Sequence, residues 1–414
     1  MTQPGQYCAF SDAAVVEAVR TPWVDLGGEL AHVSPIDLGI KVGREVLMRA
    51  GLDAQHVDSV LAGSMAQSSF DAYMLPRHIG LYSGVPVQVP ALAVQRICAT
   101  GFELLHQAAR QLNEGVELAL CVGAESMSRN PIAAYTHRGG FRLGAAVEFK
   151  DFLWEALYDP APGLDMIATA EILAKRYGLS REAVDGFALD SHQRALSAQA
   201  SGWFEEEIVT LRTEPFELEG YQSRGISLSR RCESVSRDSH PRSTDAVALA
   251  RLAPIHMQGV QTAGNSCAVV DGAAAALVAR ISSRQRPALA HLLASAVVGV
   301  APEVMGIGPV PAIQLLLQRS GLTLSDIGRF EINEAQGAQV LAVARALELD
   351  THRLNSRGGS IALGHPLAAT GLRLVMTLAR QLREDNLRYG IAAACVGGGQ
   401  GMAVLIENPH FSTN

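Results

Sequence analysis

Aromatic residues are scarce in this sequence: phenylalanine, tryptophan and tyrosine together make up 5% of its 414 residues. Charged residues are also few, at 18%, whereas hydrophobic residues reach 48% and there are 39 glycines. Such a chain can bury large cores, and its small residues favour helices packed closely on sheets over an aromatic-rich β-sandwich. A net charge of −7 gives no basic surface of the kind that nucleic-acid binding requires, so no nucleic-acid partner is expected.

The sequence also lacks the patterns that mark metal sites, disulfide frameworks and membrane segments. Its six cysteines are scattered without a CxxC pair, which argues against a zinc site or disulfides and favours a reducing compartment. The longest apolar stretch, residues 288–301, is interrupted by His291 and is too short to span a bilayer. The first twelve residues lack the features of a signal peptide. We therefore expect a cytoplasmic protein with no membrane partner and no bound metal.

What the sequence does contain is an internal repeat. Ala99-Thr100-Gly101 recurs as Ala369-Thr370-Gly371, a shift of 270 positions. Residues 109–112 recur as residues 379–382 at the same shift. A period this long excludes a solenoid and indicates two copies of one α/β unit of roughly 120 residues.

The two copies differ at positions where reactive groups would lie. Cys98 in the first copy aligns with Ala368 in the second, and Gly63 aligns with Asn333. A site between the copies could therefore combine a nucleophile from one copy with polar partners from the other.

Apolar strands alternate with amphipathic segments through the first copy. This alternation predicts an α/β fold with a mostly parallel sheet covered by helices on both faces. Residues 35–50 have helical periodicity, with Gly51 placed to end the helix. A second helix is predicted at residues 99–112, and the predicted strands are residues 13–19, 57–62, 90–94 and 118–123.

A long stretch with no counterpart in the second copy interrupts the first. We predict an N-terminal half formed by residues 1–124 and 254–284, an inserted loop domain at 125–253 and a C-terminal half at 285–414. Within the insertion, Met166–Tyr177 and Arg181–Ala200 have the pattern of amphipathic helices.

Several arginines lie in the polar part of the insertion, residues 220–242. The sequence alone favours a solvated loop with basic side chains. The alternative is a platform for a phosphorylated ligand, because the guanidinium group matches the geometry of phosphate. Its leading members would be Arg224, Arg230 and Arg231.

Cys98 follows a predicted strand and opens a predicted helix. The unpaired N–H groups and the dipole at a helix start would stabilise a thiolate there. The alternative is a buried structural cysteine, which is the commoner fate of a free cysteine.

Other polar motifs lie at predicted strand or helix ends. The glycine-rich residues 358–366 deliver His365, and Asn333 ends a strand, where it is either a site group or the N-cap of the next helix. Cys395 precedes a glycine run whose N–H groups could hold an oxyanion or merely connect two strands. Together with Cys98, these groups suit nucleophilic acyl transfer with a second acid or base.

Several of these segments resemble those of the thiolase family, the acetyl-CoA acyltransferases, and the resemblance covers nearly the whole chain. It rests on residues 17–22, 123–128, 333–335, 359–366 and 395–401, of which the last two are the most specific. The resemblance implies the five-layered α-β-α-β-α thiolase fold, with the insertion forming a coenzyme A-binding loop domain. Homodimers or homotetramers are usual in the family.

The same resemblance implies a role for each motif residue. Cys98 would be the acylated nucleophile, His365 would activate it and bind the thioester oxygen, and Asn333 would hold a water that completes this oxyanion hole. Cys395 would move the α-proton of acetyl-CoA, and the N–H groups of Cys98 and Gly397 would form a second oxyanion hole. Coenzyme A and acyl-CoA would be substrates, with no tightly bound cofactor. Substrate contacts would come from Met166, Arg224, Arg230, Arg231, Ala263, Cys267, Met305 and Gln336.

Some positions depart from the family pattern. Gln336 stands where phenylalanine is common, Cys267 replaces a serine expected near the pantetheine, and Asp165 replaces a histidine before Met166. An unpaired buried amide or carboxylate is costly, so Gln336 and Asp165 predict a polar or short acyl group. Alternatively, these side chains bond each other or a loop.

The sequence therefore predicts a thiolase of fatty acid metabolism that cleaves 3-oxoacyl-CoA, or runs the reverse condensation, through an acyl-cysteine. One alternative is a dedicated biosynthetic Claisen condensation of an unusual polar acyl group. Another is a thiolase-fold protein that binds coenzyme A or lipid without turnover, which the presence of Cys98, His365 and Cys395 disfavours.

Overall fold

A computed structural model describes residues 4–66, 69–135, 137–282 and 288–412, which form a mixed α/β fold. The strands are β1 (Gln6–Ala9), β2 (Ala14–Arg20), β3 (Val24–Asp25), β4 (Ser59–Gly63), β5 (Ala91–Ala93), β6 (Leu118–Glu125), β7 (Ile132–Ala134), β8 (Phe149–Asp151), β9 (Tyr158–Asp159), β10 (Leu164–Asp165), β11 (Glu214–Phe216), β12 (Arg224–Ile226), β13 (Val270–Ala279), β14 (Ala290–Gly299), β15 (Ile327–Ile332), β16 (Tyr389–Val396) and β17 (Gln400–Glu407). The helices are α1 (Pro35–Ala50), α2 (Leu75–Tyr82), α3 (Thr100–Leu112), α4 (Phe152–Ala156), α5 (Met166–Tyr177), α6 (Arg181–Ala200), α7 (Ala246–Ala250), α8 (Pro309–Ser320), α9 (Gly337–Ala346), α10 (Ser360–Leu363) and α11 (Leu367–Glu384).

One large mixed sheet forms the centre of the fold. The two halves of this sheet meet where β2 and β14 pair antiparallel. The α/β class is confirmed, but the pairs β13/β6, β14/β17 and β16/β17 are antiparallel, so the sheet is less parallel than predicted. Its strands run in the order β15-β16-β17-β14-β2-β13-β6-β4-β5, with β1 beside β14 and β3 beside β13.

The predicted duplication is visible in the strand pairing. In the N-terminal half, β4 runs parallel to β6, which pairs antiparallel with β13. In the C-terminal half, β15 runs parallel to β16, which pairs antiparallel with β17. A shift of 270 positions carries β4 onto the end of β15, so equivalent parts of the repeat occupy equivalent places in the two halves.

Helices α3 and α11 cross at two glycines and form the layer between the two halves of the sheet. A Cβ atom on Gly101 would lie 2.5 Å from the backbone nitrogen of Leu372, and one on Gly371 would lie 2.5 Å from that of Phe102. The two glycines are equivalent in the repeat, and only glycine allows so close an approach. Helices α1 and α2 pack on the outer face of one half and α8 and α9 on that of the other, which confirms the five-layered fold.

Local signals fix the bounds of α1 as the sequence predicts. The Ser34 hydroxyl accepts from the N–H of Ile36, Pro35 occupies the first turn, and Gly51 ends the helix with φ of 64°. None of the helices within the described ranges is both long and apolar enough to cross a membrane.

The insertion is anchored to the N-terminal half by buried ion pairs. Arg20, at the end of β2, lies 3.0 Å from Glu207 and 2.6 Å from Asp238, and all three side chains are inaccessible to solvent. The two helices predicted within the insertion are confirmed as α5 and α6. The predicted boundary between residues 284 and 285 lies outside the described residues, and the other domain boundaries remain predictions.

Candidate active site

Cys98 lies in a short 3-10 turn, Ile97–Ala99, immediately before α3. The residue before it, Ile97, has φ of 45°, in the left-handed region that a β-branched residue rarely adopts. The Thr100 hydroxyl holds this turn, because it accepts from the N–H of Arg96 at 2.9 Å and donates to the carbonyl of Ile97 at 2.7 Å. Thr100 therefore stabilises the strained turn that presents Cys98.

The Cys98 thiol is buried, and burial raises its pKa to about 11. The backbone N–H groups of Gly397 and of Cys98 itself act on the sulfur to lower the pKa, but burial outweighs them. The prediction of a thiolate stabilised by the helix start is therefore wrong for the resting site. A neutral thiol in this position needs a base before it can attack a carbonyl group.

His365 lies between α10 and α11 with a buried ring. Its Nδ1 lies 2.6 Å from the Thr370 hydroxyl, which donates to the carbonyl of Pro366 at 3.0 Å. The amide nitrogen of Asn333, 3.3 Å from Nε2, can only donate, so Nε2 is the unprotonated ring nitrogen and Nδ1 donates its proton to the Thr370 hydroxyl. Burial lowers the pKa of His365 to about 3, and the nearby charge of Arg373 acts in the same direction. His365 is therefore a neutral imidazole that can accept a proton at Nε2.

Asn333 follows β15 and reaches the same imidazole. Its Nδ2 lies 3.3 Å from Nε2 of His365, and its Oδ1 accepts from the Ser360 hydroxyl at 2.7 Å. The alternative in which Asn333 caps the next helix is wrong, because Gln336 occupies the N-cap of α9. The structure thus brings Asn333 and His365 into one polar cluster.

Buried carboxylates hold the segments that carry Asn333 and His365. Glu331 on β15 lies 2.9 Å from Arg373 on α11, and both side chains are fully buried. Glu334 accepts from the Ser191 hydroxyl of the insertion at 2.7 Å and from the N–H of Ile361 at 3.1 Å. These contacts tie β15, α11 and the insertion together around the imidazole.

Cys395 lies near the end of β16 and is fully buried. Burial raises its pKa well above the ordinary value, and the neighbouring Cys98 and Cys267 raise it further. Cys395 is therefore protonated in the resting site. It packs against Met166, Met305 and Ala335.

The glycine run after Cys395 forms a tight turn between β16 and β17. Gly398 and Gly399 have φ of 81° and 85°, which glycine adopts without strain. Gly397 and Cys98 line the same cavity, so this turn brings the C-terminal half to the cysteine of the N-terminal half.

A cavity of about 220 Å³ lies beside Cys98 and Gly397. Its wall is mostly apolar and includes residues 156–160 of the insertion. Sequence motifs identified Met166 in this wall but gave no signal for Met65 or for residues 156–160. The other lining residues are Ile97, Leu367 and Gly398.

The residues that depart from the family pattern are bonded within the protein. Gln336 is buried, and its Oε1 accepts from Nε2 of Gln261 at 3.0 Å. Asp165 caps α5 by accepting from the N–H of Ala168 at 2.8 Å, and it lies 3.1 Å from Nε2 of His256. The alternative in which these side chains bond a loop is therefore the one observed, and they give no support to a polar acyl group.

The arginines of the insertion fall into two groups. Arg224 is engaged by carboxylates, with Nε 2.8 Å from Asp37 and Nη2 2.8 Å from Asp71. Arg230 and Arg231 are exposed. The phosphate-binding role therefore stays a prediction, and Arg224 is the member whose guanidinium already has partners.

Two other predicted substrate contacts lie in the loop that precedes β13. Ala263 is exposed and Cys267 is half-buried. Burial raises the pKa of Cys267 to about 12, so its thiol stays protonated at neutral pH. The contacts of both residues with substrate stay predictions.

Comparison with known families identifies the class of protein. The family model described as "Thiolase, N-terminal domain" matches residues 13–282, and the one described as "Thiolase, C-terminal domain" matches residues 286–408. The chain belongs to the thiolase family, in agreement with its duplicated five-layered fold.

Its relatives match along nearly their whole length. The chain is 38% identical to the mitochondrial 3-ketoacyl-CoA thiolase of Bos taurus, over 95% of this chain and 98% of that protein. It is also 38% identical to a β-ketoadipyl-CoA thiolase of Acinetobacter baylyi, over 95% and 99%. Human mitochondrial 3-ketoacyl-CoA thiolase, solved in complex with CoA, matches with a TM-score of 0.90 at 37% identity, over 96% of this chain and 98% of that one. The protein is accordingly a thiolase-type acyltransferase, which cleaves a 3-oxoacyl-CoA with coenzyme A or runs the reverse condensation.

Proposed function

We propose that the protein works through an acyl-Cys98 intermediate, with coenzyme A bound and released as a substrate. The observation that carries this proposal is that Cys98 and Gly397 line one cavity, with the backbone N–H groups of both residues close enough to the sulfur to lower its pKa. Donors from two elements that converge on one point stabilise negative charge as it develops during acyl transfer. The neutral His365, with Nε2 beside Asn333, supplies the base that the protonated thiol requires.

In cleavage the Cys98 sulfur attacks the 3-oxo carbon while its proton passes to Nε2 of His365, because the raised pKa of the thiol prevents its ionisation before the attack. The bond from the 3-oxo carbon to the α-carbon then breaks. The acyl group stays on Cys98, and the electron pair of the broken bond forms the enolate of acetyl-CoA. Cys395, protonated because its pKa is raised, donates its proton to the α-carbon, and acetyl-CoA leaves.

The second half-reaction transfers the acyl group to coenzyme A. The Cys395 thiolate takes the proton of the coenzyme A thiol, whose sulfur attacks the acyl carbon on Cys98. The Cys98 sulfur leaves and regains its proton from His365, which restores the starting site. The same steps in reverse give condensation.

An alkyl chain is the acyl group that the cavity favours, because Met65, Ile97, Met166 and Leu367 line it. A polar acyl group is the second candidate. The observation in its favour is Asp159 in the same wall, whose buried Oδ2 has no partner within the described part of the chain. Turnover of 3-oxoacyl-CoAs with and without a distal hydroxyl separates the two candidates.

Thr370→Val should slow acylation of Cys98, because the proton on Nδ1 of His365 loses its acceptor and the ring can adopt the other tautomer. We expect a loss on the order of 10²-fold, within the range of general base catalysis. Thr370→Ser keeps the hydroxyl and is the matched control. The measurement is the pre-steady-state rate of acylation, and equal rates for the valine and serine variants would contradict this role.

Arg230→Ala combined with Arg231→Ala should raise KM for coenzyme A, if these exposed guanidinium groups bind its phosphates. The matched control is Arg224→Ala, which removes the partner of Asp37 and Asp71 and should lower the unfolding temperature instead. Kinetics with coenzyme A and with pantetheine, which lacks the phosphates, measure the effect. An equal rise in KM for both thiols would argue against a phosphate contact.

We further propose a homodimer or homotetramer, in a reducing compartment such as the cytoplasm. The support for association is the sheet edge at β5, where Leu92 and Ala93 are exposed, because an unpaired edge strand is available for pairing. Exposed apolar side chains of the β7–β8 hairpin, Ile132 and Phe149, add to it. The support for the compartment is that the cysteines in the described ranges are free.

A further inference from the structure

Glu125 is a buried carboxyl group to which the proposed chemistry gives no role. It ends β6, and its side chain is fully buried. Burial is the main cause of the raised pKa of Cys98, and the charge of Glu125 adds to it, so the two groups are neighbours. Three backbone N–H groups and one hydroxyl donate to Glu125, and all four of these donors are uncharged.

These donors come from both halves of the fold. One oxygen of Glu125, Oε1, accepts from the N–H of Met65 at 2.6 Å and from that of Ala368 at 3.2 Å. The other, Oε2, accepts from the N–H of Ala66 and from the Ser64 hydroxyl, both at 3.3 Å. The first three residues after β4 are therefore tied to the first turn of α11 through one carboxylate.

The two segments tied in this way carry the reacting groups. Met65 belongs to the apolar cluster that contains Cys98. His365 lies three residues before Ala368, and Thr370, which contacts Nδ1 of His365, lies two residues after it. The carboxylate thus holds the start of α11, with its imidazole, against the segment that packs on the thiol.

A separate observation shows how closely β6 approaches α11 here. A Cβ atom on Gly123, two residues before Glu125, would lie 2.1 Å from the carbonyl oxygen of Ala368. Only glycine allows so close an approach. Ala368 is the equivalent of Cys98 in the repeat, so the place that the nucleophile occupies in one half is bonded to Glu125 in the other.

An ionised carboxylate matches this set of donors. Its two oxygens offer about four lone-pair positions, whereas a protonated acid or an amide presents hydrogen at one or more of them. The dipole of α11 favours negative charge at its start. Burial nevertheless raises the pKa of Glu125 to about 7, although the N–H groups of Met65, Ala66 and Ala368 lower it. Glu125 therefore gains or loses its charge near neutral pH.

The groups around Glu125 do not duplicate this titration. Residues 64–66 and 366–369 contain no ionisable side chain. Asp271 on β13 is next to Gly272, the strand partner of Glu125, and so lies on the opposite face of the sheet. Because burial raises the pKa of Cys98 to about 11 and lowers that of His365 to about 3, neither changes charge near neutral pH.

We propose that Glu125, as a carboxylate, is a positioning residue for the transfer of the Cys98 proton to His365. It holds the start of α11 against residues 64–66, so that Nε2 of His365 stays within reach of the thiol during attack. This inference rests on the proposed function, because it takes His365 as the base for Cys98.

The pH dependence of Cys98 acylation tests the inference in the wild-type protein. The single-turnover rate with acetyl-CoA should fall as the pH drops through about 7, because Glu125 then becomes neutral. Ser64→Ala removes one hydroxyl that lowers the pKa of Glu125. It should move the fall to higher pH by roughly half a unit or more, as expected for a hydrogen bond to a charged group.

Glu125→Gln removes the charge and leaves one acceptor oxygen for four donors. Above neutral pH it should slow acylation on the order of 10–10²-fold, the scale of a small misplacement of reacting groups. The rate should no longer fall near pH 7, and KM should change little, because Glu125 does not line the cavity beside Cys98. The matched control is Glu331→Gln, which should keep the fall, since burial also raises the pKa of Glu331 to about 7.

A wild-type acylation rate that is constant through neutral pH would overturn the inference while the proposed function stands. So would a fall that is unchanged in both Ser64→Ala and Glu125→Gln, or one that Glu331→Gln abolishes. Absence of acylation of Cys98 at every pH would overturn the proposed function and this inference with it.

Discussion

Cys98→Ala should abolish almost all turnover, with a loss in kcat on the order of 10⁴–10⁶-fold, the scale seen when a covalent nucleophile is removed. The reason is that the acyl group released by cleavage of the carbon–carbon bond then has no sulfur to hold it until its transfer to coenzyme A. Steady-state thiolysis of acetoacetyl-CoA with coenzyme A is the measurement.

The matched control for this change is Cys121→Ala. Cys121 is a buried cysteine on β6, and its thiol donates to the carbonyl of Leu104. It does not line the cavity that lies beside Cys98. Its replacement removes the same atom from the core of the same half, so it should lower stability modestly and leave kcat near that of the wild type. Wild-type turnover by Cys98→Ala would exclude the acyl-cysteine route.

Cys395→Ser should separate acylation from the chemistry of the carbon–carbon bond. A hydroxyl is a much weaker acid than a thiol, so protonation of the acetyl-CoA enolate and its reverse should slow by about 10²–10⁴-fold. Transfer of an acetyl group from acetyl-CoA to Cys98 should be slowed much less, because His365 activates the nucleophile and the coenzyme A thiolate is a good leaving group that needs little help from the Cys395 proton. Cleavage of acetoacetyl-CoA and exchange of the α-protons of acetyl-CoA with deuterium oxide measure the two effects.

Proton exchange is the more discriminating readout for Cys395. A variant that merely disturbs packing around Met166 and Met305 should slow acylation as well as exchange. If Cys395→Ser exchanged α-protons at the wild-type rate, another group would have to move them. If it lost acylation and exchange in equal measure, Cys395 would support the site without taking part in the proton step.

The repeated glycines show how much of the scaffold the sequence could predict. Ala99-Thr100-Gly101 and Ala369-Thr370-Gly371 recur because α3 and α11 pack at Gly101 and Gly371, where a side chain would strike the opposite backbone. Thr370 belongs to the repeated segment, so the repeat singled it out. Its contact with His365 could not be predicted, because it depends on how the chain turns between these two residues. Repeat and periodicity together therefore predicted two α/β copies and the helices α1, α5 and α6, whereas the five layers were implied by the resemblance to the thiolases.

The electrostatics of the site could not be predicted from motifs. The helix start after Cys98 suggested a lowered pKa, but enclosure by both halves raises the pKa to about 11. Arg224 suggested a phosphate ligand, but its partners Asp37 and Asp71 lie more than 150 positions earlier in the chain. Gln336 suggested a polar substrate, but its side-chain oxygen accepts a hydrogen bond from the Gln261 side chain. In each case the outcome depends on a partner or a burial that only the folded chain defines.

Between the two half-reactions, the acyl group should reside on Cys98. Intact-protein mass spectrometry after incubation with acetyl-CoA alone, followed by mapping of the modified peptide, tests it most directly. We expect one acetyl group per chain, located on the peptide that contains Cys98 and removed by added coenzyme A. An acetyl group that forms to the same extent in Cys98→Ala, or that coenzyme A does not remove, would contradict the account.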